Sequence, residues 1–430
     1  MQREIKSFYS IFKSNQRLYV ILIIAIVIIT YRGFQYVNWN LTYGGWALNI
    51  IALISLYLFI SIKKNYNRCH FYIPVLALTF IPFLSIINSY SVYNQSVKDG
   101  ITATLPSFIW LLYFVLHHMH VNERTILRAF LYISLFIVFI QIVQQITYPN
   151  LLFGAATDES ERLFQGGEYA EMRNGLWRFR MHQNGYYTVP ILFLAWLWIK
   201  RKMDLSALFL FILMFVSIYL TLTRQVIFSA IVTLFVSVHM DRRINVKLFL
   251  LGLFIIGIFY ICYDELFSAF SDQTGDDLKE NYIRFRAATY FFQDSLRDLF
   301  TFMFGYGNEK SGEFLALMTK LHTFYHYYVG DVGFVGMIWR FGILYVTTSY
   351  YVLYSLTFKF RRDLPLYLCL FAIFTAIMSI MIFPMNREYN YFVWALILYI
   401  CDLHINKSPL RLVTSKEVKV SEISNNCYKP

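Results

Sequence analysis

Along the chain, apolar blocks of about 17–25 residues alternate with short polar breaks, the length a helix needs to cross roughly 30 Å of hydrocarbon. Hydropathy windows of about 19 residues predict twelve spans, near 17–36, 45–62, 71–91, 101–118, 126–148, 184–199, 204–222, 225–239, 246–263, 331–357, 364–383 and 389–404. The expected fold is an all-α polytopic membrane protein. Residues 1–404 form one transmembrane domain, interrupted by two longer polar segments at 149–183 and 264–330. Residues 405–430 form a basic tail, expected to be disordered. The basic start (Arg3, Lys6, Lys13, Arg17) leads into an apolar segment without a small-residue cleavage pattern, so it reads as a retained first span.

Composition narrows the classes. Hydrophobic residues make up 58% of the chain and charged ones only 15%, against about 25% charged in soluble domains. This argues against a water-soluble α/β enzyme and excludes a disordered chain. The five cysteines (Cys69, Cys262, Cys369, Cys401, Cys427) are odd in number and far apart, which supports neither a zinc site nor a disulfide framework.

Charge gives an orientation. With the N-terminus in the cytoplasm, the inner segments hold 23 Lys and Arg, and the short outer turns hold four: Arg32, Lys98, Arg224 and Arg387. The positive-inside rule then puts both termini in the cytoplasm and both long polar segments outside. Those two segments carry fifteen acidic and ten basic residues, so the net charge of +12 is mostly cytoplasmic. It reads as anchoring to anionic headgroups, not as nucleic-acid binding.

Candidate chemistry sits at the outer rim, in four stretches. The first is Trp177-Arg178-Phe179-Arg180-Met181-His182-Gln183-Asn184, which packs two guanidiniums, an imidazole and an amide just before the sixth span. An ordinary interfacial belt of Arg and Trp is the alternative there. The second, Thr221-Leu222-Thr223-Arg224, is a turn so short that Arg224 must lie near the membrane surface, where it either meets an anion or snorkels to headgroups. The third, 282–307, reads as an amphipathic outer helix ending at Gly305-Tyr306-Gly307. Arg284 and Arg286 are two apart and cannot share a helical face, and Arg286 is the one expected to point inward. The fourth runs from Leu321 to Tyr328 and holds His322 and His326, spaced to stack on one helical face. Without H-E-x-x-H or a third ligand, an imidazole here suits proton transfer better than zinc; simple packing is the alternative for both histidines. Arg340, about nine residues into the tenth span, is a further candidate because intramembrane cations need a reason.

In order and membrane sidedness, these stretches resemble the family of bacterial O-antigen ligases and O-antigen or capsule polymerases. His322 followed by Gly333 and Gly336, with Asp331 between, is similar to the family's His and paired glycines opening a membrane helix. Arg286, Tyr290 and Gly305-Tyr306-Gly307 resemble its Arg, aromatic and Gly-x-Gly stretch, with Tyr290 in place of Trp. Thr221 to Arg224 resembles its Thr/Ser-x-Ser-Arg turn, and Arg180 to Asn184 a run ending in Pro-Asn, with Gln183 replacing Pro. The likeness covers 177–340; the first five spans match only as generic hydrophobic helices.

The resemblance implies a GT-C-like membrane glycosyltransferase of the bacterial inner membrane, working on its extracytoplasmic face without metal or cofactor. Its donor and acceptor are undecaprenyl-diphosphate-linked oligosaccharides. Arg180, Arg224 and Arg286 would bind the diphosphate in two-pronged hydrogen bonds, and His322 would act as general base. Arg178, His182, Asn184, Arg284, His326, Tyr328 and Arg340 are secondary candidates. The polymerase, which extends lipid-linked repeat units, is preferred to the ligase, which moves the finished chain to lipid A–core. That preference rests on the polymerases being the more numerous and divergent group. A flippase and a chain-length regulator are compatible partners. The rival class is a sugar-lipid transporter, whose inverted repeats are not evident in this sequence.

Overall fold

The computed structural model describes residues 16–30, 43–62, 69–148, 152–153, 170–173, 176–179, 185–240, 283–386 and 388–407. They are mostly helical. In chain order the α-helices are α1 (Gln16–Thr30), α2 (Tyr43–Ser61), α3 (Tyr72–Tyr93), α4 (Val97–Thr104), α5 (Leu112–Met119), α6 (Glu123–Thr147), α7 (Gly185–Lys202), α8 (Leu205–Leu220), α9 (Arg224–Met240), α10 (Ile283–Ser295), α11 (Leu299–Phe304), α12 (Gly312–Tyr325), α13 (Gly333–Tyr354), α14 (Leu366–Met378) and α15 (Glu388–Ile405).

The described parts of the predicted spans are largely helical, with 101–118 divided among α4, a 3₁₀ segment and α5, and with 31–36 and 246–263 outside the described residues. Three stretches are long and apolar enough to cross a membrane: Tyr72–Tyr93, Val97–Met119 and Glu123–Thr147. In the second, a 3₁₀ segment (Leu105–Leu111), opened by Pro106, joins α4 to α5. Other apolar helices are shorter, among them α8, α9 and α14. The pattern thus locates apolar helices, while only these three are of membrane-crossing length and apolarity among the described residues.

The described contacts sort into two ends. At one end Gln95 and Asp99 meet Asn308 and Ser311, Phe334 meets Ser379, and the Tyr345 hydroxyl donates to the Met385 carbonyl. At the other, Tyr367 and His404 both meet Glu123, His70 meets Asn406, and Phe71 packs on Phe360. There Asp402, fully buried, accepts from the Tyr113 hydroxyl and from His117 at 2.9 Å. The loop residues joined at each end, such as Gln95 with Asn308 and His70 with Asn406, lie in segments that the charge pattern expects on one side.

The core between the ends is aromatic, with Trp110, Trp339, Trp394, Tyr113 and Tyr345 essentially inaccessible. Strands β1 (Ala170–Arg173) and β2 (Leu176–Phe179) form an antiparallel hairpin outside this bundle. Gln145 clamps the hairpin to the end of α6, donating to the Trp177 carbonyl and accepting from its amide at 3.1 Å.

Candidate functional site

The site grows from a break in α13. Gly342 has φ 79° and ψ 170°, a conformation essentially restricted to glycine. Ahead of the break, the carbonyls of Trp339 and Arg340 turn out of the helix. Tyr306 and Gly307 donate their amides to them at 2.9 and 2.6 Å. The Gly305-Tyr306-Gly307 turn thus supplies the hydrogen bonds a continuous helix would have made. The approach leaves no space for side chains. A Cβ on Gly305 would sit 2.4 Å from the Arg340 carbonyl carbon, and one on Gly342 would sit 2.0 Å from the Met303 oxygen.

From the other side, α3 holds the same turn. Asn88 donates to the Gly305 carbonyl at 2.8 Å. Gln95, at the end of α3 and fully buried, accepts from the Lys310 amide at 2.8 Å and donates to the Asn308 carbonyl at 3.0 Å. The loop between is thereby fixed, and with it Glu309. Its carboxylate receives Nη2 of Arg340 at 2.8 and 3.2 Å. A largely buried arginine needs a counter-charge, and here the clamped loop delivers one.

His322 enters from α12. This helix is seated by Phe314, whose ring stacks on Tyr93 at 4.8 Å, and it ends at Tyr325. His326 then takes the left-handed conformation (φ 53°), and the Tyr327 amide donates back to the Leu321 carbonyl at 3.0 Å, a standard helix stop. The reversal folds Tyr328 over His322, with ring centres 4.8 Å apart and planes 19° from parallel.

Burial, the largest influence, holds the His322 imidazole below its ordinary value of 6.5. The Glu309 and Asp331 carboxylates push it up and the Arg340 guanidinium pushes it down. Desolvation prevails, so the ring is neutral near pH 7. Two buried nitrogens of this cluster, His322 Nδ1 and Arg340 Nε, have no hydrogen-bond partner among the described residues. One is a lone-pair acceptor in the Nε2–H tautomer, and the other is a cationic donor.

The expected site residues separate accordingly. His322, Tyr328 and Arg340 come together, joined by Asp331 and by Glu309, which the sequence reading passed over. The signal for Glu309 was indirect. Arg340 demanded an acid, but Asn308-Glu309-Lys310 reads as an ordinary solvated turn. His326 is exposed and beyond the end of α12, so the expected stacking of His322 and His326 on one helical face does not occur.

On α10, Arg286 is exposed and Arg284 half-buried, so the inward-pointing member of the pair differs from expectation. Arg286 lies one turn before Tyr290, whose ring is 6.0 Å from that of Tyr327. This brings its side of α10 up to the His322 loop. Arg224 opens α9, half-buried, in the layer beside α14. Arg178 stands on β2 opposite Glu171. Arg180, His182 and Asn184 lie outside the described residues. Comparison of the chain with family models and with curated proteins finds no match.

Proposed function

We propose that this protein is an inverting membrane glycosyltransferase that lengthens oligosaccharides carried on undecaprenyl diphosphate, at the outer face of a bacterial inner membrane. In this reading the chain crosses the bilayer about twelve times with both termini in the cytoplasm, and 149–183 and 264–330 lie outside. The segregation of contacts into two ends supports that alternation.

The observation that carries the reading is the pair of unsatisfied buried nitrogens, His322 Nδ1 and Arg340 Nε. A sugar hydroxyl donates to the first and a phosphate oxygen accepts from the second, so the two wait for the two reactants of glycosyl transfer. The acceptor oxygen attacks the anomeric carbon and its proton passes to His322. The bond from that carbon to the diphosphate oxygen breaks, and the departing diphosphate takes the electron pair. Arginine forks stabilise the charge it gains. Arg340, placed by Glu309, serves this role within the described cluster, and Arg286, exposed on α10, is proposed to add to it. Arg224 and Arg180 complete the proposed phosphate grip. Neutral His322 is the competent form of a base at pH 7, and such help is worth about 10²–10⁴ in rate.

The test is chain extension by purified protein in proteoliposomes with lipid-linked repeat units. His322→Ala should retain membrane insertion and lose extension by about 10²-fold or more. Full-length polymer from that variant would remove His322 from the chemistry. Transfer to lipid A–core in place of extension would reassign the protein as a ligase using the same donor site.

A further inference from the structure

The helix α10 and the turn after it carry two exposed strips. Phe285 (58% exposed), Phe292 and Leu296 (52%) follow one another at spacings of seven and four, a single line along a helix. Beside that line run the exposed Arg286, Thr289 and Gln293. The remaining side, Ala287, Phe291 and Ser295, is buried, and Phe291 packs on Trp339 with ring centres 5.1 Å apart. A helix with one packed side, one apolar strip and one polar cationic strip has the pattern of an element lying in a membrane interface.

Depth is set by the neighbours. α3, which runs from Tyr72 to Tyr93, is long and apolar enough to cross a bilayer. Thr301 and Gly305 meet it at Asn88, and Gly307 meets it at Ser85. Those contacts lie five and eight residues short of Tyr93, or roughly 7 and 12 Å along the helix at 1.5 Å per residue. The backbone bookkeeping agrees. Non-helical backbone is tolerated at such depth only when its polar groups are satisfied by protein. Here the Gly305 carbonyl accepts from Asn88, and the Tyr306 and Gly307 amides donate to α13. Leu299, 74% exposed, opens α11 just after the exposed Arg297 and Asp298. The exposed Leu84 and Ile87 of α3 lie at the same depth.

We propose that residues 283–307 form a re-entrant segment seated in the outer leaflet. Phe292, Leu296 and Leu299 contact lipid acyl chains, and the Arg286 strip faces headgroup phosphates. The segment, expected from sequence as an amphipathic outer helix, is then a wall between the bilayer and the Arg340 cluster. The inference rests on the membrane placement of α3 and not on the reaction assigned to His322.

The wild-type chain in nanodiscs, photolabelled with a phospholipid bearing a diazirine in its acyl chain, tests this by mass-spectrometric mapping. Carbene adducts are expected on Phe292, Leu296 and Leu299 at the level found on Ile87, with Lys310 unlabelled. Labelled Ile87 beside clean Phe292, Leu296 and Leu299 would overturn the re-entrant placement and leave the membrane reading standing. A clean Ile87 would remove both. A second readout uses a cysteine-free background with a bimane-labelled cysteine at position 292 or 296. Quenching by brominated acyl chains supports the proposal, and quenching by aqueous iodide opposes it. Shielding from both quenchers would overturn the proposal, and disulfide-linked dimers on oxidation of the same variant left unlabelled would assign the strip to a second copy of the chain instead.

Discussion

The Gly307 amide donates to the Arg340 carbonyl at 2.6 Å, while the Arg340 side chain reaches back to Glu309, two residues beyond that glycine. One residue of α13 is thus gripped twice by one loop, through its backbone and through its charge. The break at Gly342 exposes the carbonyl, and the loop that fills the break carries the acid.

Substitution of either glycine at this crossing should disrupt the protein as a whole. Gly305 (φ 69°) and Gly342 (φ 79°) have backbone conformations foreign to L side chains, and an added Cβ would meet backbone atoms at 2.4 and 2.0 Å, respectively. Strain alone costs about 1–3 kcal/mol at each position, before the collision is relieved. Gly342→Ala and Gly305→Ala are expected to lower the melting midpoint in detergent and broaden the size-exclusion profile. A variant with unchanged midpoint would mean that the chain does not cross α13 at this break.

The Glu309–Arg340 pair should show coupling that neither residue shows alone. Both side chains are largely shielded, at 23% and 17% exposure, and removing one partner strands the other's charge. Glu309→Gln and Arg340→Gln are each expected to destabilise. The double variant should lose less than the sum, with a coupling of about 1 kcal/mol or more. Strict additivity in thermal melts of the four proteins would show the pair to be solvated and unimportant.

What could be read without coordinates follows from period and composition. The apolar blocks located the helices because a span must be long, apolar and uninterrupted in pattern. His322, Arg340 and the glycines of 305–307 stood out because each residue type is costly or unusual where it occurs. Glu309 did not stand out, since an acid beside Lys310 in a polar turn has no distinguishing pattern of its own; only the tertiary crossing makes it a buried partner. The stop of α12 at Tyr325 was equally hidden, because His326 is no conventional helix terminator and adopts its left-handed turn through the Leu321–Tyr327 bond. The hydrophobic line on α10 was present in the sequence, but its proposed depth rests on Asn88 and Ser85, about two hundred residues away.

The two arginines of α10 should separate binding from folding. Arg286 is exposed and Arg284 is half-buried against the packed side. Exposed substitutions usually change stability by less than about 0.5 kcal/mol. Arg286→Ala is therefore expected to keep the wild-type melting midpoint while raising the KM for lipid-linked donor in the extension assay. Arg284→Ala should lower the midpoint with a smaller effect on KM. The opposite pattern would restore Arg284 as the phosphate ligand.

The acid limb of the pH–rate profile should report on His322, and its neighbours should move it in opposite directions. Burial is the largest influence and holds the imidazole below 6.5, so activity should rise with pH and level off before that value. Glu309 pushes the imidazole up and Arg340 pushes it down. Glu309→Gln is thus expected to shift the limb to lower pH, and Arg340→Gln to higher pH, in whatever activity each variant retains. Stability follows the same sign. A histidine whose folded value is depressed contributes fully above its unfolded value near 6.5, and that contribution is lost as pH falls through the folded value. Melting midpoints of wild type should accordingly decline on acidification below 6.5, and those of His322→Gln should decline less. An acid limb that persists unshifted in Glu309→Gln, Arg340→Gln and the residual activity of His322→Gln would belong to another group and take the proton transfer away from this imidazole.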